Sequence, residues 1–284
     1  MKLYGYWRSG CTWRVRIALA LKGVAYEYQP VHLLKGEQHG NPFRKLNLLE
    51  SVPILEWHEG GAIRRLAQSL AIIDFLDQRF PSPPLLPTDP WLRARAHQLA
   101  EIVNSGIQPF QTPFVMGQVK AFGGDDKAWV ALFHARGLTA LEEETSRTAG
   151  RFSVGDAPSI ADCCLVPQLY ASRRFKIDLT PYPTLTRIEA ACEALPAFQA
   201  AHPDRQPDAE QAPRSTGRPP WPRKNRSDSS ASNPRTGTCA TWSGAAASTR
   251  RGWTSRRSAE AIPTSPRAAG SRASCSRPAT SSSP

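Results

Sequence analysis

The stretch Arg8-Ser9-Gly10-Cys11-Thr12-Trp13-Arg14-Val15-Arg16-Ile17 marks a strand-to-helix junction. Before it, Lys2–Tyr6 reads as a short first strand. After it, a helical pattern runs from about Thr12 to Leu21 and is closed by Lys22 and Gly23. A Ser, a Gly and a Cys therefore stand where the first N–H groups of a helix lack partners and its dipole presents a positive end. Such a place favours an anion, and a thiolate is one. On residue types alone, Ser9 reads first as an ordinary N-cap, and Cys11 as either a small packing residue or a nucleophile.

Outward from the junction, Tyr26–Leu33 reads as a second strand and Pro42–Leu46 as a short helical turn. Val52–Trp57 and Ala62–Leu66 flank Glu59-Gly60-Gly61 as an antiparallel hairpin. A helix from Ser69 to about Arg79, with Leu70, Ile73 and Leu76 at helical spacing, closes a unit over residues 1–80. The order βαβ–α–ββα is that of an α/β thioredoxin-like domain. Pro81-Ser82-Pro83-Pro84-Leu85-Leu86-Pro87 is a stiff linker. Residues 88–209 read as an all-α domain, helical almost throughout from Trp91 to about Ala200. Asp89-Pro90 and Ser159-Ile160-Ala161-Asp162 mark helix starts, the latter a capping pattern with Asp where Glu is commoner.

The net charge of +12 is concentrated in residues 210–284, which hold 13 Lys+Arg against 3 Asp+Glu. The remainder is nearly neutral, so no nucleic-acid partner is expected for the folded part. The tail has 16 Ser and no Leu, Val, Phe, Tyr or Met. A segment so composed buries no core and is expected to be disordered. Its Arg/Ser/Pro bias is also what a shifted reading frame in GC-rich DNA produces, so a frameshifted end and a genuine basic tail both stand. The six cysteines show neither metal-ligand nor disulfide-scaffold spacing, and no metal site is expected. Cys163 and Cys164 read as reduced packing residues. The first strand begins almost at Met1 and no segment approaches a membrane span, so a cytoplasmic protein without signal peptide or membrane partner is expected.

The combination of a thioredoxin-like unit, a Pro-rich linker and a helical second half resembles the glutathione transferase superfamily. Residues 9–23 are similar to the signature of its zeta class, the maleylacetoacetate isomerase family. Gln68–Ile73, Gly106–Pro109, Val154-Gly155-Asp156, Ala161–Gln168, Asp178–Pro183 and Phe198–Asp208 extend the resemblance to about residue 209. It implies glutathione as cofactor, a small dicarboxylate substrate, a homodimer, and isomerisation of maleylacetoacetate to fumarylacetoacetate in tyrosine and phenylalanine breakdown. Maleylpyruvate as substrate, glutathione conjugation or dehalogenation of small α-halo acids, and a non-catalytic glutathione-transferase-like binding module are the alternatives.

The resemblance also assigns residues. Ser9 is to hydrogen-bond the glutathione sulfur, with Cys11 beside it as a modulator. Gly10 replaces the second Ser of the family pattern but keeps its backbone N–H. Val52-Pro53 is to form a cis-proline corner that pairs with the cysteinyl backbone, and Gln68-Ser69 is to hold the γ-glutamyl carboxylate. Gln38 is matched to the glycyl end, and Gln108 to a position near glutathione and substrate. Arg8 and Arg174 are to grip the substrate carboxylates. Thr112, where relatives carry Asn, receives no role, and Arg14 and Arg16 are expected to be structural or surface residues.

Overall fold

Alternating residues in the first strand bury Leu3 on one face, and the third strand buries Leu55 beside it and Ile54 on the opposite face. The computed structural model describes residues 1–209; the expected disordered tail, 210–284, lies outside the described residues. Strands β1 (Lys2–Gly5), β2 (Glu27–Pro30), β3 (Ile54–Glu59) and β4 (Ala62–Ala67) form one sheet in the order β2-β1-β3-β4. β1 runs parallel to β2, with Leu3 opposite Tyr28, and antiparallel to β3, with Leu3 opposite Leu55. The hairpin joins β3 to β4 through Gly60 and Gly61, both at positive φ, as such a tight turn requires. β2 is shorter than the expected 26–33: beyond Pro30 the chain enters tight turns at Leu33–Lys35 and Glu37–His39, followed by α2 (Asn41–Arg44).

Helix α1 (Gly10–Leu21) has no polar face, since Thr12 through Leu19 are all buried. The sheet side and α3 (Ser69–Arg79) cover one flank, while α7 (Ile160–Arg174) and α9 (Pro196–Ala201) cover the other. A helix enclosed this way carries no amphipathic stripe, and even its arginines are interior. β1 passes close enough to α1 that a Cβ on Gly5 would lie 2.3 Å from Thr12 Cγ2.

The linker is clamped rather than loose. Asp77 on α3 pairs with Lys22 Nζ at 2.5 Å and accepts from the Leu85 N–H at 2.7 Å, while Lys22 also donates to the Pro83 carbonyl. Leu85 and Leu86 are buried, and the Ile160 N–H donates to the Leu85 carbonyl at 2.9 Å. The helical part continues through α4 (Pro90–Gly106), a tight turn Gln108–Gln111, α5 (Pro113–Ala121), α6 (Asp126–Ser146), α7, α8 (Pro183–Glu193) and α9. Residues 147–159 interrupt it with an irregular loop. Ser159 and Asp162 form the capping box at α7, with Asp162 Oδ2 accepting from the Ser159 N–H at 2.7 Å. One apolar core runs from Leu3 and Trp13 through Ile72 and Leu99 to Leu165 and Phe198, so the sheet and the helices share their interior. No described helix is long and apolar enough to cross a membrane.

Candidate functional site

Ser9 caps α1. Its backbone is extended, and its Oγ accepts from the Thr12 N–H at 3.3 Å. Accepting that bond uses a lone pair and leaves the hydroxyl hydrogen available, so capping and donation to an anion are compatible. Gly10 and Cys11 follow in the first turn. A Cβ on Gly10 would meet Pro167 Cβ at 3.7 Å, an ordinary contact, so the helix start has room for a side chain there. Cys11 is half-buried and free. Cys163 and Cys164 are fully buried; burial pushes both thiols up, that of Cys164 to about 11, which fits packing rather than reaction.

The loop before Ser9 is tied down at several points. The Trp7 N–H donates to Asp208 Oδ2 at 3.0 Å, and Tyr28 Oη donates to the same oxygen at 3.2 Å. Tyr6 and Trp7 pack with Val31, Phe43, Val52 and Ile54 in a small second apolar cluster. That cluster joins the Arg8–Ser9 loop to the Val52-Pro53 corner. The Val52–Pro53 peptide is cis, and Val52 lies outside the sheet register, which begins at Ile54. Its backbone thus stands at the sheet end, beyond the paired residues.

Gln68 precedes α3 at φ 73°, a left-handed-side backbone that non-glycine residues adopt rarely. Strain of this kind persists where the surroundings fix it, and here it turns an exposed residue into the helix start. Ser69, 4% exposed, is the first residue of α3 and accepts from Arg14 Nη1 at 3.2 Å.

Arg8 is half-buried and lies over the Trp7 ring, 5.0 Å from its centroid. Arg174 ends α7, and although exposed in area its guanidinium is partly desolvated. Burial first, and then the nearby Arg8 charge, lower its pKa, while Tyr170 and Tyr6 act in the opposite sense. Two cations from different halves of the chain are therefore near enough to repel each other, with Tyr6 and Tyr170 near Arg174.

Gln108 opens the tight turn between α4 and α5. The turn is held by Gln111, whose Oε1 accepts from His134 Nε2 at 2.6 Å and from Gln168 Nε2 at 3.2 Å. Burial pushes His134 down to about 4. Gln38 lies in the turn Glu37–His39, its amide nitrogen 2.9 Å from His39 Nε2. Among the described residues, no hydrogen bond joins Gln38 or Gln108 to Ser9, Ser69 or the two arginines. Thr112 caps α5, accepting from the Val115 N–H at 3.4 Å.

Arg14 and Arg16 are both interior, 1% and 0% exposed, which excludes the surface reading of them. Arg16 donates to the carbonyls of Ala201, at 3.1 Å, and Trp7, at 2.8 Å. Asp208 and Tyr170 also belong to the surroundings of the site, and neither carried a signal in the sequence by itself.

The family model described as glutathione S-transferase, N-terminal domain, matches residues 8–79. A probable maleylacetoacetate isomerase of Drosophila melanogaster is 46% identical over 210 residues, 72% of this chain and 89% of the relative. The crystal structure of maleylacetoacetate isomerase from Anaeromyxobacter dehalogenans 2CP-1, with glutathione bound in its active site, is 55% identical with a TM-score of 0.69. That match covers 74% of this chain and 97% of the other. The holo structure of a maleylpyruvate isomerase, a bacterial zeta-class glutathione S-transferase, is 44% identical with a TM-score of 0.70, covering 74% and 100%.

The chain belongs to the zeta class of glutathione transferases. Within this zeta-class fold Ser9, Val52-Pro53 and Gln68-Ser69 lie at the ends of the sheet's strands, and Gln108 and Arg174 lie in the helical part.

Proposed function

We propose that the protein is a glutathione-dependent cis–trans isomerase that converts maleylacetoacetate to fumarylacetoacetate. The observation that carries the reading is the Ser9-capped N-terminus of α1 with Arg8 beside it, and the Arg174 guanidinium near enough to feel the Arg8 charge. A dianionic substrate needs two cations beside an anion-stabilising helix end, and guanidinium groups match carboxylates by geometry and charge. Maleylacetoacetate isomerases from Drosophila and Anaeromyxobacter are similar over most of their length.

The residues present suit glutathione. Val52 offers a backbone beyond the sheet register, at a cis peptide, for an extended peptide to pair with. Ser69 offers a hydroxyl at a helix start. Glutathione, held by these residues, would supply a thiolate for reversible addition to the conjugated double bond, which permits cis–trans rotation and regenerates the thiol. The Ser9 hydroxyl holds that sulfur in its deprotonated form by donating its free hydrogen, and the helix dipole adds to the effect. Cys11, next in the turn, shapes the pocket wall. Arg8 and Arg174 hold the substrate carboxylates so that the double bond faces the sulfur, and they stabilise the negative charge that develops toward the carbonyl. We assign Gln108 to the substrate side of the site and Gln38 to the glycyl end of glutathione.

Maleylpyruvate is the second reading, favoured by the similarity to the zeta-class maleylpyruvate isomerase. We place the protein in the cytoplasm as a homodimer. An open groove of about 490 Å³ between α4 and α6, lined by Ile102, Phe110, Phe133 and Gly137, supports a protein contact there. Sedimentation analysis tests the dimer. Absorbance assays with each maleyl substrate test the activity: faster turnover of maleylacetoacetate supports the first reading, and faster turnover of maleylpyruvate replaces it with the second.

A further inference from the structure

We infer that Arg14 is the buried cation of the glutathione carboxylate site, a positioning residue that sets the Ser69 hydroxyl for a carboxylate. The inference rests on the assignment of Ser69 made above. Arg14 Nη1 donates to Ser69 Oγ at 3.2 Å and to Asn104 Oδ1 at 2.7 Å. A guanidinium has N–H donors and no acceptor, so Ser69 Oγ can only accept from it. The single hydroxyl hydrogen is left for another acceptor, and among the described residues no hydrogen bond takes it. Ser69 is also the first residue of α3, where backbone N–H groups lack helical partners. The corner therefore presents donors only, and the matching ligand group is a carboxylate.

Charge balance points the same way. A cation 1% exposed ordinarily has an anionic partner, because desolvation of an unpaired charge is costly. Both hydrogen-bond acceptors of Arg14 are neutral oxygens. The titratable groups facing it are the thiols of Cys11, Cys163 and Cys164 and the Glu101 carboxylate. Glu101 is exposed on α4 and is linked to Arg14 through Asn104, whose Nδ2 donates to it at 3.2 Å. A carboxylate accepting from Ser69 stands one hydroxyl away from the guanidinium and completes its pairing. Asn104 anchors the arginine from the helical half, so the carboxylate corner is built by α1, α3 and α4 together.

Calorimetric titration of the full-length protein with glutathione and with cysteinylglycine, which lacks the γ-glutamyl carboxylate, tests the inference. Arg14→Met is expected to weaken glutathione binding about tenfold or more, the effect of losing a hydrogen-bond arrangement on a charged group. Cysteinylglycine binding stays as it was. KM for glutathione rises while kcat at saturating glutathione holds, and Arg14→Lys recovers part of the affinity. In a Ser69→Ala background, Arg14→Met adds little. Asn104→Ala leaves the arginine in place and gives a smaller loss of the same selectivity, which serves if Arg14→Met fails to fold. Equal weakening of both ligands, or losses that add across Arg14 and Ser69, overturns the inference while leaving the assignment of Ser69. Equal binding of glutathione and cysteinylglycine by the unaltered protein overturns that assignment and the inference with it.

Discussion

Replacing Ser9 by Ala removes a helix cap and a donor to sulfur in one step, and the two losses differ in size. The cap bond to the Thr12 N–H is 3.3 Å, long for a hydrogen bond, so its loss belongs at the low end of capping effects, about 0.5–1 kcal/mol. For a chain of this size that lowers Tm by roughly 1–4 °C. The donated bond acts on a charge and is worth about 1.5–3 kcal/mol. At about 1.4 kcal/mol per pH unit, the thiol pKa of bound glutathione rises by roughly one to two. Below that pKa the thiolate population, and kcat with it, falls about 10- to 100-fold, and the loss is recovered as the pH is raised. Steady-state rates from pH 6 to 9 at saturating glutathione, set beside thermal melts, measure both effects. A pH–rate profile that keeps its midpoint in Ser9→Ala, or an activity loss no larger than the stability loss accounts for, refutes the role given to the hydroxyl.

Arg8→Met and Arg174→Met are each expected to raise KM for the dicarboxylate about tenfold or more while glutathione affinity is unchanged; calorimetry and initial rates separate the two. Asp77→Ala strands the buried Lys22 ammonium and frees the Leu85 N–H, and is expected to cost about 3–5 kcal/mol in urea unfolding. Acid acts through His134. Its folded pKa of about 4 lies below the ordinary 6.5, so the unfolded chain binds the proton first and stability is lost as pH falls through that window. The stability advantage of the natural protein over His134→Gln should therefore shrink by about 3 kcal/mol between pH 7 and pH 4; a pH-independent difference shows that His134 does not titrate this way.

Local chemistry made much of the site legible. Ser9 followed by a helical run, the Gly60-Gly61 turn and the Ser159/Asp162 box each announce a local structure by residue type and spacing, and each forms, whereas the cis peptide at Val52-Pro53 is implied only by the family resemblance. The unread parts are long-range. Arg14 and Arg16 read as either structural or surface residues, because a sequence does not show that sheet and helices enclose α1 from both flanks. Arg14 meets Ser69 and Asn104, 55 and 90 residues away, and Gln111 meets Gln168 at a separation of 57. The role of Asp77 depends on the linker folding back against α3, which its prolines do not reveal. Pro167, deep inside α7, is tolerated where a proline ordinarily ends a helix. The short β2 reflects the turn at His32–Gly36, whose left-handed Gly36 offered no pattern distinct from a strand end.

A glutathione balance during turnover separates isomerisation from every other thiolate chemistry. Maleylacetoacetate is supplied in large excess over glutathione and enzyme, product is followed by absorbance, and free thiol is titrated at the start and the end. Fumarylacetoacetate formed in many-fold excess over glutathione, with the thiol fully recovered and no turnover when glutathione is omitted, is the predicted result. Turnover without glutathione, or thiol consumed mole for mole with substrate, contradicts it.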